Sequence, residues 1–290
     1  MRIPIYYRFV GIFAFACMIA ACMGENKNNN ETAILESKAE NDTVEIVRRP
    51  QPCPYGFYQI THIGSFDVIY REGDYSLEFE GDSTLFPSVI ADYDSGTLTL
   101  KRRGENNIDI HAFSAQSKLK VYVSSPELRL LAVCNNGSFQ SIGTIHTTDM
   151  QIGALGQGSI SIDSVQCQSL VVQNNDVGSI NFTSCHTTRL DILSKNSGCI
   201  TGDFNVDGET NITITGNAVN TLSCKSNVVN LLSTGETVTT LDVDCDKFNI
   251  QAVGKGVFTF TGRAREKHFA TNPLGKSGKN VVIIDEVKAK

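Results

Sequence analysis

Apolar and polar positions repeat along residues 128–262 with a spacing of 19 to 21 residues. One position is aliphatic in all seven repeats, and a small residue, usually glycine, follows six residues later. The aliphatic residues are Leu131, Ile152, Val172, Ile192, Ile212, Leu231 and Ile250. The small residues are Gly137, Gly158, Gly178, Gly198, Ala218, Thr237 and Gly256. A position that stays aliphatic at a fixed interval predicts turns that stack on one another and bury a common core.

Within each repeat, apolar and polar residues alternate with the period of two that is typical of β-strands. The third position after the small residue is always polar and uncharged: Gln140, Ser161, Asn181, Thr201, Thr221, Thr240 and Thr259. Each repeat therefore predicts about two short strands joined by a glycine-marked bend. Stacked repeats give an all-β fold, a parallel β-helix or β-solenoid with turns of about twenty residues. Outward Ser, Thr and Asn columns are then expected to hydrogen-bond between turns.

The sequence before and after the repeats predicts two further regions of the folded chain. Residues 53–127 alternate strand-like runs with turns, which predicts a small N-terminal β subdomain or cap. Residues 83–93 are predicted as one short helix that Pro87 breaks early. Residues 128–262 are the solenoid repeats, and residues 263–290 are predicted as a C-terminal cap with a closing strand at Val281–Ile284.

The first 21 residues have the pattern of an export signal: Arg2 and Arg8 precede an apolar run that is short for a membrane span. This run ends in the sequence IAAC at residues 19–22, which looks like a bacterial lipobox and predicts lipidation of Cys22. Residues 22–52 are polar and predict a lipid-anchored flexible tether. The alternatives are a conventional signal peptide cut elsewhere and a buried N-terminal strand.

Charge makes nucleic acid an improbable partner. The chain has 31 acidic and 25 basic residues, a net charge of −6. Loss of Arg2 and Arg8 with the signal peptide would leave 23 basic residues and a net charge of −8, which repels phosphate backbones. Basic residues cluster at 101–103 and 263–267, and both clusters are predicted to be solvated ends of loops.

Nine cysteines are present, of which Cys17 lies in the signal and Cys22 at the lipobox. Four of the other seven fall between the second strand of one repeat and the first strand of the next: Cys167, Cys185, Cys224 and Cys245. Their position favours small buried side chains that fill a corner of the core. Disulfide bonds between neighbouring turns, and metal or redox chemistry, are the alternatives.

Two histidines, His146 and His186, occupy equivalent positions two turns apart. Strand spacing would separate them by about 9.5 Å, too far for one zinc ion to bridge, so they are predicted to be surface imidazoles.

Acidic residues gather near the later turns: Asp203, Asp207, Glu209, Asp242, Asp244 and Asp246. Asp163, Asp203 and Asp242 share a column but alternate with Thr183 and Ser223, which predicts a solvated acidic edge rather than a calcium site.

Two polar residues, Asn174 and Ser194, lie in an otherwise inward column and predict either an internal polar ladder, which is favoured, or the lining of a small cavity. The chain contains no phosphate-binding loop, serine-nucleophile elbow or zinc-protease motif. The sequence therefore predicts no catalytic residues, no cofactor and no metal site.

Several segments carry a resemblance to a known family. They are residues 63–68 (IGSFDV), 72–75 (EGDY), 95–98 (SGTL), 120–128 (KVYVSSPEL) and 156–160 (GQGSI). Together they resemble the head GIN domain family of autotransporter-adhesin type, over roughly residues 57–262. The first bend departs from the family pattern, with CNNGSF at residues 134–139. The resemblance implies a β-helical lipoprotein of a Bacteroidota-like envelope and supplies no catalytic residues.

The sequence favours a non-enzymatic, extracytoplasmic lipoprotein of the outer membrane. It would be attached through its lipid anchor and would bind a cell-surface glycan or protein, or organise the envelope. One alternative is a polysaccharide-processing β-helix enzyme, for which at least two carboxylates and an Arg or Lys would have to meet in a groove. Another is a periplasmic sensor or assembly partner. The oligomeric state does not follow from the sequence.

Overall fold

The computed structural model describes residues 46–103, 119–271 and 281–284. It confirms an all-β solenoid, made of nineteen strands and one 3-10 helix within those residues. The predicted signal peptide, Cys22 and the first part of the predicted tether lie outside the described residues. The strands are β1 (Ile46–Pro50), β2 (Gln59–Ile63), β3 (Asp67–Glu72), β4 (Ser76–Asp82), β5 (Val89–Asp94), β6 (Thr97–Arg102), β7 (Lys120–Ser125), β8 (Leu130–Asn135), β9 (Ser138–Ile142), β10 (Thr144–His146), β11 (Asp149–Gly156), β12 (Ser159–Gln166), β13 (Ser169–Asn174), β14 (Ser179–Ser194), β15 (Cys199–Gly216), β16 (Val219–Gly235), β17 (Val238–Gly254), β18 (Val257–Thr271) and β19 (Val281–Ile284).

Two long parallel ladders run the length of the solenoid. The first ladder stacks β6, β2, β8, β11 and β13, and continues through the second halves of β14 to β18. The second ladder stacks β7, β3, β9 and β12, continues through the first halves of β14 to β18 and ends on β19. The predicted closing strand at Val281–Ile284 therefore extends the second ladder by one more parallel strand.

A third strand segment occurs in each turn of the repeats, where the sequence predicted only two. Strand β10 pairs with the end of β12, which pairs in turn with residues 184–186 of β14. In β14 to β18 this segment is continuous with its neighbours, so each strand is 15 to 18 residues long and follows the chain around a corner. The third segment was missed because it is only about three residues long, too short for alternation to be evident.

The bend between the two ladders depends on a stacked column of left-handed residues. Its glycine members are Gly156, Gly216, Gly235 and Gly254, all with positive φ. Asn135, in the first bend, has φ 66° and pairs with Gly156. Asparagine is the side chain that tolerates this conformation best, so the departure from a Gly-x-Gly pattern at residues 134–139 preserves the bend.

The N-terminal region continues the same two ladders, but its turns are stacked out of chain order. The β2–β3 turn lies between the β6–β7 turn and the β8–β9 turn. Beyond the β6–β7 turn, β5 pairs antiparallel with β6 and β4 pairs antiparallel with β7. These antiparallel strands end the parallel stack and protect its edge.

Three local expectations were wrong. The predicted tether does not run to residue 52, because β1 pairs antiparallel with β4. The predicted helix at residues 83–93 is a 3-10 helix at Ser83–Ser88 followed by β5, with Asp82 capping its start through the Thr84 amide. The basic residues 263–267 lie within β18 rather than at a loop end, since they keep one register with β17, from Arg263 opposite Asp244 to Lys267 opposite Phe248.

Within the described residues, no helix is long and apolar enough to cross a membrane.

The core consists of columns of inward-pointing side chains, in which each turn contributes one residue that packs on the residues above and below it. The predicted aliphatic column is confirmed as fully buried from Leu131 to Ile250, and Ile60 and Leu98 extend it toward the N-terminal end. Aromatic rings also fill the core. Phe182 and Phe204, for example, pack with their ring centroids 5.2 Å apart. Because successive turns contribute to the same columns, the core is continuous along the solenoid.

One histidine interrupts this core. His62 lies in the inward column between Leu100 and Val133, is fully buried, and has no hydrogen-bond partner for either ring nitrogen among the described residues. Its ring packs on Phe66 at 4.5 Å between centroids. A Cβ at Gly137 would lie 2.2 Å from His62 Cε1, so glycine in the first bend makes room for the imidazole. Burial lowers the pKa of His62 from 6.5 to about 3.

We expect His62→Leu to stabilise the protein at acid pH. The folded pKa of His62 lies below its unfolded value, so the unfolded chain takes up a proton first as the pH falls. Stability is therefore lost progressively from about pH 6.5 toward pH 3, by up to about 1.4 kcal/mol per pH unit. Urea unfolding at pH 7, 6 and 5 should show a flatter pH dependence for His62→Leu than for the wild type.

The control is His268→Leu, which changes a histidine whose side chain is 60% exposed. This variant should retain the wild-type slope. Equal slopes for His62→Leu and the wild type would show that the buried imidazole does not govern acid stability.

Candidate ligand-binding surface

The outer surface of the second ladder carries the predicted polar columns. Thr201 donates a hydrogen bond to Asn181 Oδ1 at 2.5 Å, one turn away. Thr261 donates to Asp242 Oδ1 at 2.5 Å, and in the adjacent third segment Ser184 donates to Ser164 at 3.1 Å. The predicted bonding between turns is therefore present on this surface.

Another column on the same surface changes from polar to apolar residues along the solenoid. It begins with Ser138, Ser159 and Ser179, which are paired in register. Farther along it consists of Val219, Val238 and Val257, whose exposed fractions are 46, 43 and 41%. The surface offers hydroxyl groups at its N-terminal end and a ridge of methyl groups at its C-terminal end.

The outer surface of the first ladder carries a continuous amide ladder. Asn211 Nδ2 donates to Asp191 Oδ1 at 2.9 Å, and Asn230 Nδ2 donates to Asn211 Oδ1 at 2.9 Å. Asn249 Nδ2 donates to Asn230 Oδ1 at 2.7 Å, and Asn230 Nδ2 also contacts Glu209 at 2.6 Å. Stacked amides of this kind tie four successive turns together through side chains as well as backbone.

The acidic residues are held in ion pairs and ladders along the surface. Asp203 and Asp242 are separated by Ser223 in register, as the sequence predicted. Asp244 pairs with Arg263 at 2.5 Å and Asp246 with Arg265 at 3.3 Å. No group of three potential metal ligands occurs among the residues that the structure describes.

One cluster does bring two carboxylates near an arginine. Arg189 Nε lies 2.9 Å from Asp191, and Glu209 stands opposite Arg189 in the next turn. Both carboxylates accept hydrogen bonds from ladder asparagines, and the cluster lies on the outer face of a sheet. The cluster is therefore open to solvent, whereas sites that bind and process a ligand are ordinarily concave.

The predicted surface histidines border an open groove of about 520 Å³. His146 and His186 lie two turns apart with Gln166 between them, as predicted. His146 Nδ1 is 3.3 Å from Glu72, and His186 Nε2 is 3.4 Å from Asp207. Glu127, two threonines, two glutamines and Cys167 complete its walls.

The four corner cysteines are free thiols, in two adjacent inward columns. Cys185 lies between Val165 and Phe204, and Cys224 between Phe204 and Val243. Cys167 and Cys245 belong to the next column, where Cys167 lies 3.5 Å from the Thr187 hydroxyl. Burial raises the pKa of the Cys185 and Cys224 thiols, and raises that of Cys245 to about 11. Buried, protonated thiols act as core side chains.

The favoured internal ladder of Asn174 and Ser194 was wrong. Asn174 Nδ2 donates to the carbonyl oxygens of Gly178 at 2.6 Å and Cys199 at 3.2 Å, so it secures the bend. The Ser194 hydroxyl is buried and has no hydrogen-bond partner among the described residues. The Asn174 amide nitrogen is bonded to backbone carbonyls rather than to the Ser194 side chain, so no side-chain ladder links the two residues.

Sequence analysis missed a set of exposed tyrosines at the N-terminal end of the solenoid. Tyr55, Tyr58 and Tyr75 have exposed fractions of 67, 38 and 47%. Large exposed aromatic side chains in one region mark an interaction site more often than scattered ones do. The signal in the sequence is the aromatic run YGFY at residues 55–58, just before β2.

A family model described as "Putative auto-transporter adhesin, head GIN domain" matches residues 56–223. The chain belongs to the head GIN domain family. The match begins at the aromatic run and ends within β16, so it covers the N-terminal turns and most of the solenoid.

Solved structures share the fold at low sequence identity. A "putative adhesin" from Parabacteroides distasonis ATCC 8503 is 18% identical, with a TM-score of 0.70 over 84% of this chain and 98% of the other. A "putative lipid binding protein" from the same organism is also 18% identical, with a TM-score of 0.69 and the same coverage. A "putative adhesin" from Bacteroides fragilis NCTC 9343 is 16% identical, with a TM-score of 0.59 over 75% of this chain and 97% of the other. No curated protein matches the sequence.

We expect Asn230→Ala to destabilise the solenoid by about 1–3 kcal/mol. The substitution removes two bonds that Asn230 donates and one that it accepts, in a half-buried ladder. Asn249→Ala is the matched control, because Asn249 donates a single ladder bond, and it should cost less. Urea unfolding measures both, and equal losses would contradict a cooperative amide ladder.

We expect the corner thiols to resist alkylation in the folded protein. Cys185 and Cys224 are almost fully buried with raised pKa values, whereas Cys53 and Cys199 are half-buried. Iodoacetamide followed by peptide mass spectrometry should label Cys53 and Cys199 first, and label Cys185 and Cys224 only after unfolding. Rapid native labelling of Cys185 or Cys224 would show that this corner of the core is open.

Proposed function

We propose that the protein is a non-enzymatic, lipid-anchored adhesin that binds a cell-surface glycan or protein outside the cytoplasm. The observation that carries this proposal is the pair of regular, hydrogen-bonded outer surfaces on a continuous solenoid. Such surfaces are rigid, because each side chain is fixed by its neighbours in adjacent turns. A rigid surface loses little conformational entropy on binding.

Membership of the head GIN domain family supports an adhesin-like role, although fold alone does not assign a ligand. Neighbouring structures carry the names adhesin and lipid binding protein. In this chain the inward columns are filled by side chains such as Phe139, Phe248 and Phe260. This packing favours recognition on the outer surface over enclosure of an acyl chain.

The anchor is assigned to Cys22 because the IAAC sequence ends an export-type signal. The first described strand begins at Ile46. The intervening chain, fully extended, would span at most about 85 Å. A tether of this length would hold the N-terminal end of the solenoid near the membrane and leave both ladder surfaces accessible.

A polysaccharide-processing enzyme is the weaker candidate. The Arg189 cluster has the composition that such an enzyme needs, but its carboxylates are bonded to asparagines on an open sheet surface. Catalytic carboxylates are ordinarily enclosed, so that burial or a neighbouring charge tunes their pKa.

We expect protease added to intact cells to digest the wild-type protein, and Cys22→Ala to appear in the soluble fraction. Lipidation requires the thiol, and alanine preserves the size of the cleavage site while removing the acceptor. Fractionation and immunoblotting with an antibody against the solenoid provide the measurement.

Two outcomes would overturn parts of the proposal. Protection of the wild type in intact cells, with digestion after the outer membrane is permeabilised, would favour the periplasmic sensor or assembly role. Retention of Cys22→Ala in the membrane fraction would contradict the anchor at Cys22.

A further inference from the structure

We propose that the tyrosines at the N-terminal end of the solenoid, together with the adjoining groove, bind a neutral glycan. This inference deepens the proposed adhesin function and rests on it. The tyrosine platform is defined here as Tyr55, Tyr58, Tyr75 and Tyr93. The groove is the one bordered by Glu127, Thr147 and His146.

The platform is assembled from three separate parts of the chain. Tyr55 packs edge-on against Tyr93 of β5 at 6.4 Å between ring centroids. Phe57, which is buried, packs against Tyr93 at 6.2 Å and against Tyr75 at 5.5 Å. Phe57 thus anchors a continuous row of rings whose outer members are exposed.

Two glycines fix where the rings lie. A Cβ at Gly56 would be 2.9 Å from the Tyr75 hydroxyl oxygen. A Cβ at Gly96 would be 2.4 Å from Tyr58 Cε1, so the Tyr58 ring lies directly over the β5–β6 turn. The Tyr93 hydroxyl donates a hydrogen bond to the Pro52 carbonyl at 3.1 Å. The platform is therefore formed before any ligand arrives.

Polar side chains connect the platform to the groove. The Arg129 guanidinium lies over the Tyr58 ring, 5.2 Å from its centroid. Arg129 Nη2 donates to Glu127 Oε2 at 2.8 Å, and Thr147 Oγ1 donates to Glu127 Oε1 at 3.1 Å. The Tyr58 ring, a guanidinium, a carboxylate and a hydroxyl thus follow one another toward the groove.

This combination matches the chemistry of a sugar. A pyranose ring has an apolar face of C–H groups, which can lie on an aromatic ring, and a rim of hydroxyls. The rim hydroxyls need donors and acceptors held in fixed positions, and the groove provides both. Tyrosine is well suited because it offers apolar area and a polar tip at low entropic cost.

The charges of the site favour a neutral glycan over an anionic one. Arg129 is already paired with Glu127, and this hydrogen bond holds the pKa of the Glu127 carboxyl below its usual value. Glu72 is hydrogen-bonded to the backbone amide of His146 beside the groove, and Asp149 lies near Arg129. Carboxylates thus outnumber the cations, so a uronic or sialic acid would meet like charge.

The test measures binding of the full mature protein to neutral and acidic oligosaccharides on a glycan array, followed by titration calorimetry with the best neutral ligand. We expect Tyr55→Ala/Tyr75→Ala to weaken neutral-glycan binding by at least about 10-fold, because two exposed rings are lost. Tyr55→Phe/Tyr75→Phe retains the rings and should recover most of the affinity. Thermal melting confirms that each variant is folded.

A second variant, Thr221→Ala/Thr240→Ala, tests the competing site, because it alters two exposed positions on the second-ladder surface. Full binding by this second variant, with loss in the tyrosine variant, would support the platform. The reverse pattern would overturn the inference while leaving an adhesin that uses its ladder surface.

Binding of acidic glycans alone would overturn the inference, as would binding to a protein ligand that the tyrosine variant leaves unchanged. Both results would leave the proposed function intact. The surface proteolysis of Cys22→Ala and wild-type cells tests that function separately, because it does not depend on which ligand is bound.

Discussion

In-register parallel stacking is the constraint on which this structure depends. A single turn of about twenty residues cannot bury its own apolar face, so each column must match the column of the next turn. This requirement explains why Leu131 to Ile250 stay aliphatic. It also explains why glycine or asparagine in the left-handed conformation recurs in the bend, at Asn135, Gly156, Asn196 and Gly216, with Asp176 as the exception between Gly156 and Asn196. One β-branched residue in that column would strain the bend and shift the register of both ladders.

The same constraint acts on polar residues with opposite results inside and outside the solenoid. On the outer surface, stacked asparagines bond to one another and add to the backbone ladder. In the core, His62 and Ser194 have no such neighbours within the described turns, because the residues above and below them are apolar or differently oriented. Buried polar groups without partners reduce stability. The outer amide ladder compensates for part of that loss by linking the later turns.

The periodic parts of the structure could be predicted from sequence and the aperiodic parts could not. Alternation and a fixed interval are local signals, so the solenoid, the aliphatic column and the surface position of His146 and His186 followed from the residues alone. The placement of β2–β3 between later turns is a long-range pairing that leaves no trace in spacing. Strand β1 was missed for a similar reason. Its sequence, IVRRP, is largely polar, and it forms a strand because it pairs with β4.

The candidate glycan site was missed because it exists only through that non-sequential stacking. Tyr55, Tyr75 and Tyr93 are far apart in the chain and meet because β4 and β5 cap the turn next to β2–β3. Residues within the repeat are constrained to match their neighbours, and a column of matched residues recognises only a repeating pattern. The capped end is released from this requirement. It can present a guanidinium, a carboxylate and several aromatic rings in one place, as recognition of a specific ligand requires. The repeats therefore supply length and rigidity, while the irregular end supplies chemical variety.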